Sequence, residues 1–377
     1  MSVTVKQART KSEIKVFAKV PFAIFKDNPY WIPPMIMDDI HTFDATKNPA
    51  FAQAEARFFI AYQDGRPVGR LAAIISHVAN KKYNAKNIRF GWFDTVDDEE
   101  VPKALFAALE TWAEEKGMET ITGPQGFTDL DPQGMLIQGF DKLGTIAGIY
   151  NHPYYPEHIE KLGFQKEIDY VEFLSTVPHD TGIPEKLVRL ADRVRERGKF
   201  RLMPFNKRKD IVDHGEEIFH LLDESFEEIY GSVPMTQEQI RYYVKKYLPY
   251  TDPDLIKAVV NEEDEMIGFL VTMPSLSKAM QKARGRIFPF GWYHILKALK
   301  TYEIIDFCLA GIRKNYRGQG VDLLMAVEIV KASLAKGFQY AESNQELENN
   351  PKVQAQWKYF NPVNHKRRRI FKKTIGK

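Results

Sequence analysis

The sequence predicts an α/β chain built twice over, two units in tandem, each with strands and amphipathic helices in the same order. Three observations carry this. Apolar runs of strand length alternate with helical patterns along the 377 residues. A hairpin with an acidic turn and a glycine two residues into its return strand occurs twice, in Pro67-Val68-Gly69-Arg70-Leu71-Ala72 and in Met266-Ile267-Gly268-Phe269-Leu270-Val271. Between the copies lies Pro178-His179-Asp180-Thr181-Gly182-Ile183-Pro184, a polar, Pro/Gly-punctuated linker. The predicted units are residues 1–178 and 185–377, with an insertion at 275–301 present only in the second.

The first unit opens with a short strand from Val3 and an amphipathic helix whose apolar face is Ile14, Phe17, Val20 and Ile24; Pro33 and Pro34 end any helix beyond it. Residues 57–62 and 67–75 form a hairpin turned by Asp64-Gly65, and residues 88–93 are a further strand. Residues 97–117 read as a helix with Pro102 in its first turn, Leu105, Leu109 and Trp112 on one face, and Gly117 as C-cap. A Gly/Asp/Pro-rich loop over 123–134, a helix ending at Gly163 and a strand over 170–174 complete the unit.

The second unit repeats the order. Amphipathic stretches at 211–229 and 237–248 precede the hairpin 255–260 and 266–273. The apolar run from Ile304 then enters the basic turn Arg313-Lys314-Asn315-Tyr316-Arg317-Gly318-Gln319-Gly320, and the helix from Val321 closes at Gly337. Gly318 and Gly320 let backbone approach a ligand, and the first amides of the helix have no intrahelical acceptor, so the turn is an outline of an anion cradle for a phosphate or pyrophosphate. It is neither a P-loop, which needs a Gly-Lys-Ser/Thr ending, nor a dinucleotide fingerprint, whose third glycine is replaced by Leu323. The matching turn of the first unit, Thr95-Val96-Asp97-Asp98-Glu99-Glu100-Val101, has acids and no glycine. Acids at a helix N-terminus are ordinary caps that would repel a pyrophosphate.

Composition excludes several classes. A net charge of +3 gives no global field for nucleic acid. One cysteine, Cys308, inside an apolar run, supports neither a disulfide framework nor a metal set and reads as a small buried residue. The start lacks a signal-peptide core, and no apolar run approaches membrane-spanning length; a reduced, cytoplasmic setting is expected.

In order of elements and in the turn Asn315-Tyr316-Arg317-Gly318-Gln319-Gly320 the chain resembles the GNAT superfamily of acyl-CoA-dependent N-acyltransferases, in tandem. The superfamily pyrophosphate signature is Gln/Arg-x-x-Gly-x-Gly/Ala; both glycines match, and Asn315 departs at the first position. Asn48-Pro49-Ala50-Phe51, Gly123-Pro124-Gln125-Gly126-Phe127, Asn151-His152-Pro153-Tyr154-Tyr155, the stretch Arg286 to Trp292 and the closing Lys366 to Phe371 are similar to an uncharacterised group of bacterial two-domain proteins of this type. The resemblance implies an α/β, α+β mixed-sheet fold of two GNAT-like domains. The second would bind acetyl-CoA, or another acyl-CoA, through Asn315, Arg317, Gly318, Gln319, Gly320 and Val321, with the preceding strand at Leu309, Gly311 and Ile312 meeting the thioester. The first would be a degenerate substrate wall or scaffold.

Acyl transfer to an amine needs a base, an oxyanion donor and an acid for the departing thiolate. Glu303 and Asp306, at and just before the strand, are candidates for the base or a water relay. Glu342, Asn344, Glu346 and Glu348 lie where relatives place polar substrate contacts, or form a solvated acidic edge; if functional they predict a cationic or amine-bearing small molecule or peptide. The thiolate-protonating tyrosine of many relatives falls at Trp357, which leaves Tyr359 as candidate acid. The basic and aromatic insertion reads as a helix-loop-helix lid, or as a contact for an anionic substrate, a lipid surface or nucleic acid. The Lys366 to Arg369 run reads as a solvated strand end. Two other classes remain open: an aminoacyltransferase using aminoacyl-tRNA, and a non-enzymatic scaffold of degenerate fold.

Overall fold

The structure is a computed structural model that describes residues 2–376. Its strands are β1 (Thr4–Ala8), β2 (Ala54–Gln63), β3 (Arg66–Ser76), β4 (Asn87–Thr95), β5 (Thr120–Gly123), β6 (Met135–Gln138), β7 (Gln165–Thr176), β8 (Arg201–Met203), β9 (Ile256–Val260), β10 (Met266–Pro274), β11 (Ile304–Ile312), β12 (Tyr340–Ser343), β13 (Glu346–Leu347) and β14 (Val363–Thr374). They form one sheet in the order β1-β2-β3-β4-β5-β14-β7-β12-β11-β10-β9-β8, with β6 on β14 and β13 on β7. The order reads the same from either end. Each half contributes five strands outward from the centre, and at the centre the halves exchange their last long strands, so that β14 pairs with β5 and β7 pairs with β12. Hydrogen bonds between β14 and β7 join the two sides.

The repeated glycines explain why the halves look alike. A Cβ on Gly69 would lie 2.7 Å from Val101 Cγ1, and one on Gly268 would lie 2.6 Å from Val321 Cγ1. In each half, therefore, the first-turn valine of the long helix (Glu100–Glu115 or Val321–Lys336) seats against the sheet where the hairpin has no side chain. The next strand also carries the same irregularity twice. The register of β4 on β3 slips between Arg70 and Ala72, beside Trp92 with φ 41°, and the register of β11 on β10 slips between Val271 and Thr272, leaving Cys308 without a partner. One face of the sheet packs on the two long helices, through Leu105, Leu109 and Trp112 in the first half and Leu324, Val327 and Ile329 in the second. The other carries the helix Lys11–Ile24 in the first half and Gly215–Phe226 with Gln237–Tyr247 in the second.

Several expectations change in extent. The strand expected at 170–174 runs Gln165–Thr176, and the amphipathic stretch 211–229 is two helices, Arg208–Asp213 and Gly215–Phe226. The closing basic run is corrected outright. It is the middle of the central strand β14, and Lys366 and Arg368 are each only 1% exposed. Arg368 binds Glu172, and Lys366 Nζ donates to Glu342 at 2.5 Å and lies 3.2 Å from Glu172. Burial alone would raise the Glu172 carboxyl, but Arg368 and Lys366 outweigh it and hold that pKa at about 2.

Candidate functional site

β11 and β12 run parallel from Ile304 opposite Tyr340 to Phe307 opposite Ser343. They then part, because β12 ends at Ser343 while β11 continues to Ile312 along β10. Asn344 stands in the fork: its N–H donates to Phe307 O at 3.1 Å and its side-chain amide to Cys308 O at 3.0 Å. Beyond it the chain moves away to pair with β7 through Glu346 and Leu347. The stretch Leu309, Ala310, Gly311, Ile312 is thus paired with β10 on one edge and has left β12 on the other.

That strand leads into the glycine turn. Gly318 has φ 75° and open space where a Cβ would be, whereas Gly320, the N-cap, has φ 91° and a Cβ there would lie 2.5 Å from Val194. Both conformations favour glycine, one for exposure of the turn and one for close packing. The first helix amide to find a backbone acceptor is that of Leu324, which donates to Gly320 O at 3.1 Å. The cations of the turn are largely balanced by neighbours: Lys314 pairs with Glu228 at 2.7 Å, Arg313 lies 3.5 Å from both Glu224 and Glu265, and Arg317 donates to Ser225 O at 2.9 Å and Ile312 O at 3.2 Å. What the turn offers an anion is mainly backbone amide, which suits a pyrophosphate approached by main chain. Gln319 donates to Asn315 O at 2.7 Å, which braces the turn on itself.

The predicted acids separate into distinct places. Glu303 is exposed, one residue before β11 at the end away from the fork, and pairs with Lys278 of the insertion at 2.7 Å. Asp306 is buried on β11 beside Glu342. Burial and then the Glu342 charge push its carboxyl up to about 8, against the lowering effect of the nearby Ser275 hydroxyl. Glu342 is buried too, held by Lys366 and lying 3.2 Å from His365; the solvated-edge reading is corrected for it. Glu172, Glu342 and His365 offer oxygen and nitrogen atoms close enough for a cation, and the Lys366 ammonium lies among them. Tyr359 is exposed on the turn Lys358–Phe360.

The carboxylate that meets the fork is Glu346, part of the acidic cluster though not among the leading catalytic candidates. Trp357 Nε1 donates to Glu346 Oε1 at 2.6 Å, and the same indole packs edge-on against Phe307 of β11, with ring centroids 5.0 Å apart. Burial raises the Glu346 carboxyl to about 7, against the lowering effect of the Trp357 hydrogen bond, and its second oxygen is free. The sequence signal was the Trp at the position where relatives carry tyrosine; what it touches is set by the fold.

The first half has the same fork, and its root is bridged in the same way. β4 and β5 pair from Asn87 to Arg89 and part, and Gln125 then donates its N–H to Phe90 O at 2.8 Å. A Cβ on Gly91 would lie 2.3 Å from Gln125 O. At the turn, Thr95 donates to Tyr155 Oη and accepts from Tyr154 Oη, both at 2.9 Å, and His158 and Lys161 hold Asp97 and Glu99.

No family model matches the chain. A tandem GNAT protein from the clavulanic acid biosynthesis pathway superposes over 100% of this chain and 99% of its own, at TM-score 0.57 and 12% identity. This chain has the tandem GNAT fold. A GCN5-related N-acetyltransferase from Sphaerobacter thermophilus shares it over 99% of this chain and 96% of its own, at TM-score 0.50 and 13% identity. In sequence the chain is 27% identical to Protein YghO of Escherichia coli K12, over 97% of this chain and 94% of that protein. It is 25% identical to a protein of Caulobacter vibrioides named bacterial ceramide synthase, over 97% and 96%. Both alignments run over nearly the whole of this chain. No helix among the described residues is long and apolar enough to cross a membrane.

Proposed function

We propose that the chain is an N-acyltransferase that moves an acyl group from acyl-CoA to an amine at the fork of the second half. The observation that carries this is a parted strand that leads into a glycine turn with free helix amides; a carboxylate raised to about 7, Glu346, is tied to the root of that strand through Trp357. The amides from Gly318 to Leu323, with Asn315 and Gln319, would hold the pyrophosphate, and the free edge of β11 at Leu309 to Ile312 would meet the pantetheine and thioester. Acyl-CoA supplies an activated acyl carbon. Glu346, positioned by Trp357, takes the proton the amine loses as the amide bond forms and the thiolate leaves, and its pKa suits that transfer near neutrality. A ceramide is itself the amide of a fatty acid and a long-chain amino alcohol, so the name of the Caulobacter relative agrees with N-acylation. Acetyl-CoA and longer acyl-CoA donors are both consistent with the cradle. The first half, whose turn carries acids and no glycine, serves as wall and scaffold.

Thermal unfolding with acetyl-CoA and with a long-chain acyl-CoA tests the reading. Ligand at a hundred times its Kd adds about 2.7 kcal/mol, and Gly318→Glu, which places a carboxylate in the open turn, removes that gain. A wild-type protein that neither donor stabilises would overturn it.

A further inference from the structure

The insertion has a surface that acyl transfer does not account for. It leaves the second half after β10 as two short helices, Ser277–Ala283 and Gly291–Ala298, and returns at β11. Its inner side rests on the first half. Gln281 Nε2 donates to Pro29 O at 2.7 Å and Trp31 O at 3.1 Å, and Ile36 N–H donates to Gly285 O at 3.0 Å. A Cβ on Gly285 would lie 2.5 Å from the Phe22 ring, so the arm is seated tightly.

The outer side is the reverse. Phe288 and Phe290 are 76% and 68% exposed, and Ile287, Trp292, Tyr293 and Leu296 are about half exposed. Six large apolar side chains within a ten-residue stretch leave apolar area in water that ordinary surfaces scatter. Charge is equally one-sided. From residue 266 to 302 there is no Asp or Glu, while Lys278, Lys282, Arg284, Arg286, Lys297 and Lys300 are all exposed. Lys278 pairs with Glu303, and the other five have no acidic partner among the described residues.

We infer that this arm docks on a membrane surface carrying anionic headgroups, with Phe288, Phe290 and Trp292 in the interface and the five cations on the phosphates. Tryptophan and phenylalanine gain by entering the headgroup boundary, and each lysine or arginine near an anionic leaflet adds to the attraction. The charge pattern argues against a second copy of this chain as occupant, because a two-fold dimer would set five unpaired cations against the same five. The aliphatic Ile287 and Leu296 within the patch suit an acyl boundary better than the stacked bases of a nucleic acid. Met280, on the first helix of the arm, lines a cleft of ≈ 120 Å³ with Trp31, Trp92, Ile146 and the buried Asp39 and Arg70, so docking would bring this largely apolar cleft beside the bilayer.

Co-sedimentation of the full chain with phosphatidylcholine vesicles, with and without phosphatidylglycerol, tests this without any acyl donor, so it stands or falls separately from the enzymatic reading. Binding is expected only with phosphatidylglycerol, weakening as salt rises. A Phe288→Ser, Phe290→Ser variant and a Lys282→Glu, Arg284→Glu, Arg286→Glu variant should each lower it at least about tenfold while melting as the wild type does; the changed side chains are exposed, so folding is not at stake. Absence of binding to anionic vesicles at low salt overturns the inference, as does equal binding by wild type and both variants. A vesicle-free dimer that the same substitutions dissociate would assign the face to a second copy, and an RNA oligonucleotide displacing the vesicles would assign it to nucleic acid.

Discussion

Val101 and Val321 reach the sheet in the same way, each over a glycine of the neighbouring hairpin strand, yet the turns ahead of them have opposite chemistry. Ahead of Val321 stand two glycines with positive φ and open amides; ahead of Val101 stand acids held by His158 and Lys161, and backbone closed by Tyr154 and Tyr155. The forks share one contact, Asn344 N–H on Phe307 O and Gln125 N–H on Phe90 O, and differ beside it: Asn344 adds its side-chain amide to Cys308 O, whereas Gln125 O lies close against Gly91. The two halves share what packs and differ in the chemistry of the turn. Packing is constrained by volume on both sides, whereas a ligand turn is constrained only by its ligand.

The comparison can be broken at four points. The largest effect belongs to Glu346: if the second fork is catalytic, Glu346→Gln lowers kcat about 10²–10⁴-fold. The acid limb of the pH–rate profile, set near 7 by this carboxyl, disappears with it. Trp357→Phe removes a hydrogen bond that favours the charged form, so the limb moves to higher pH, measured as kcat against pH.

Next come the glycines, which should fail in different ways. Gly91→Ala forces a methyl onto Gln125 O and is expected to destabilise by roughly 1–3 kcal/mol in urea unfolding, with acyl-CoA stabilisation retained. Gly318→Ala meets no atom and incurs only the left-handed backbone cost, about 1 kcal/mol. A Gly91→Ala protein as stable as the wild type would show that Gln125 does not close on Gly91 as described.

A smaller effect is expected at Asp306. Its folded pKa of about 8 lies above the unfolded value, so the protein keeps this proton while the unfolded chain releases it, and stability falls as pH rises from about 4 toward 8. Asp306→Asn should therefore raise stability at pH 8 by roughly 1–3 kcal/mol, a gain that vanishes near pH 4, read from urea midpoints. Glu172 has the opposite sign. Its depressed pKa contributes stability above about pH 4.5 that is lost as pH falls toward 2, a loss that Glu172→Gln should remove from the acid unfolding curve.

The duplicated hairpin, the glycine turn and the arm's two helices were legible because each is local: a glycine at a fixed offset, a left-handed cap, a period of apolar residues. The acids of the first half's turn were legible for the same reason. Gln125 was not, since nothing near it in sequence says that it meets Phe90 and Gly91. Glu346 was visible only as one acid in a run of alternating acids; its distinction is the indole of Trp357, packed against a strand fifty residues upstream.

β14 marks the boundary most clearly. Lys366-Arg367-Arg368-Arg369 has the composition of a solvated edge, and sequence alone determined that it is basic and of strand length. Only the tertiary structure decided that it lies between β5 and β7, because the groups that make its burial tolerable, Glu172 and Glu342, come from the other half's last strand and from β12. Buried charge is stable only when paired, and pairing across a strand exchange is a property of the assembled sheet that no local pattern carries.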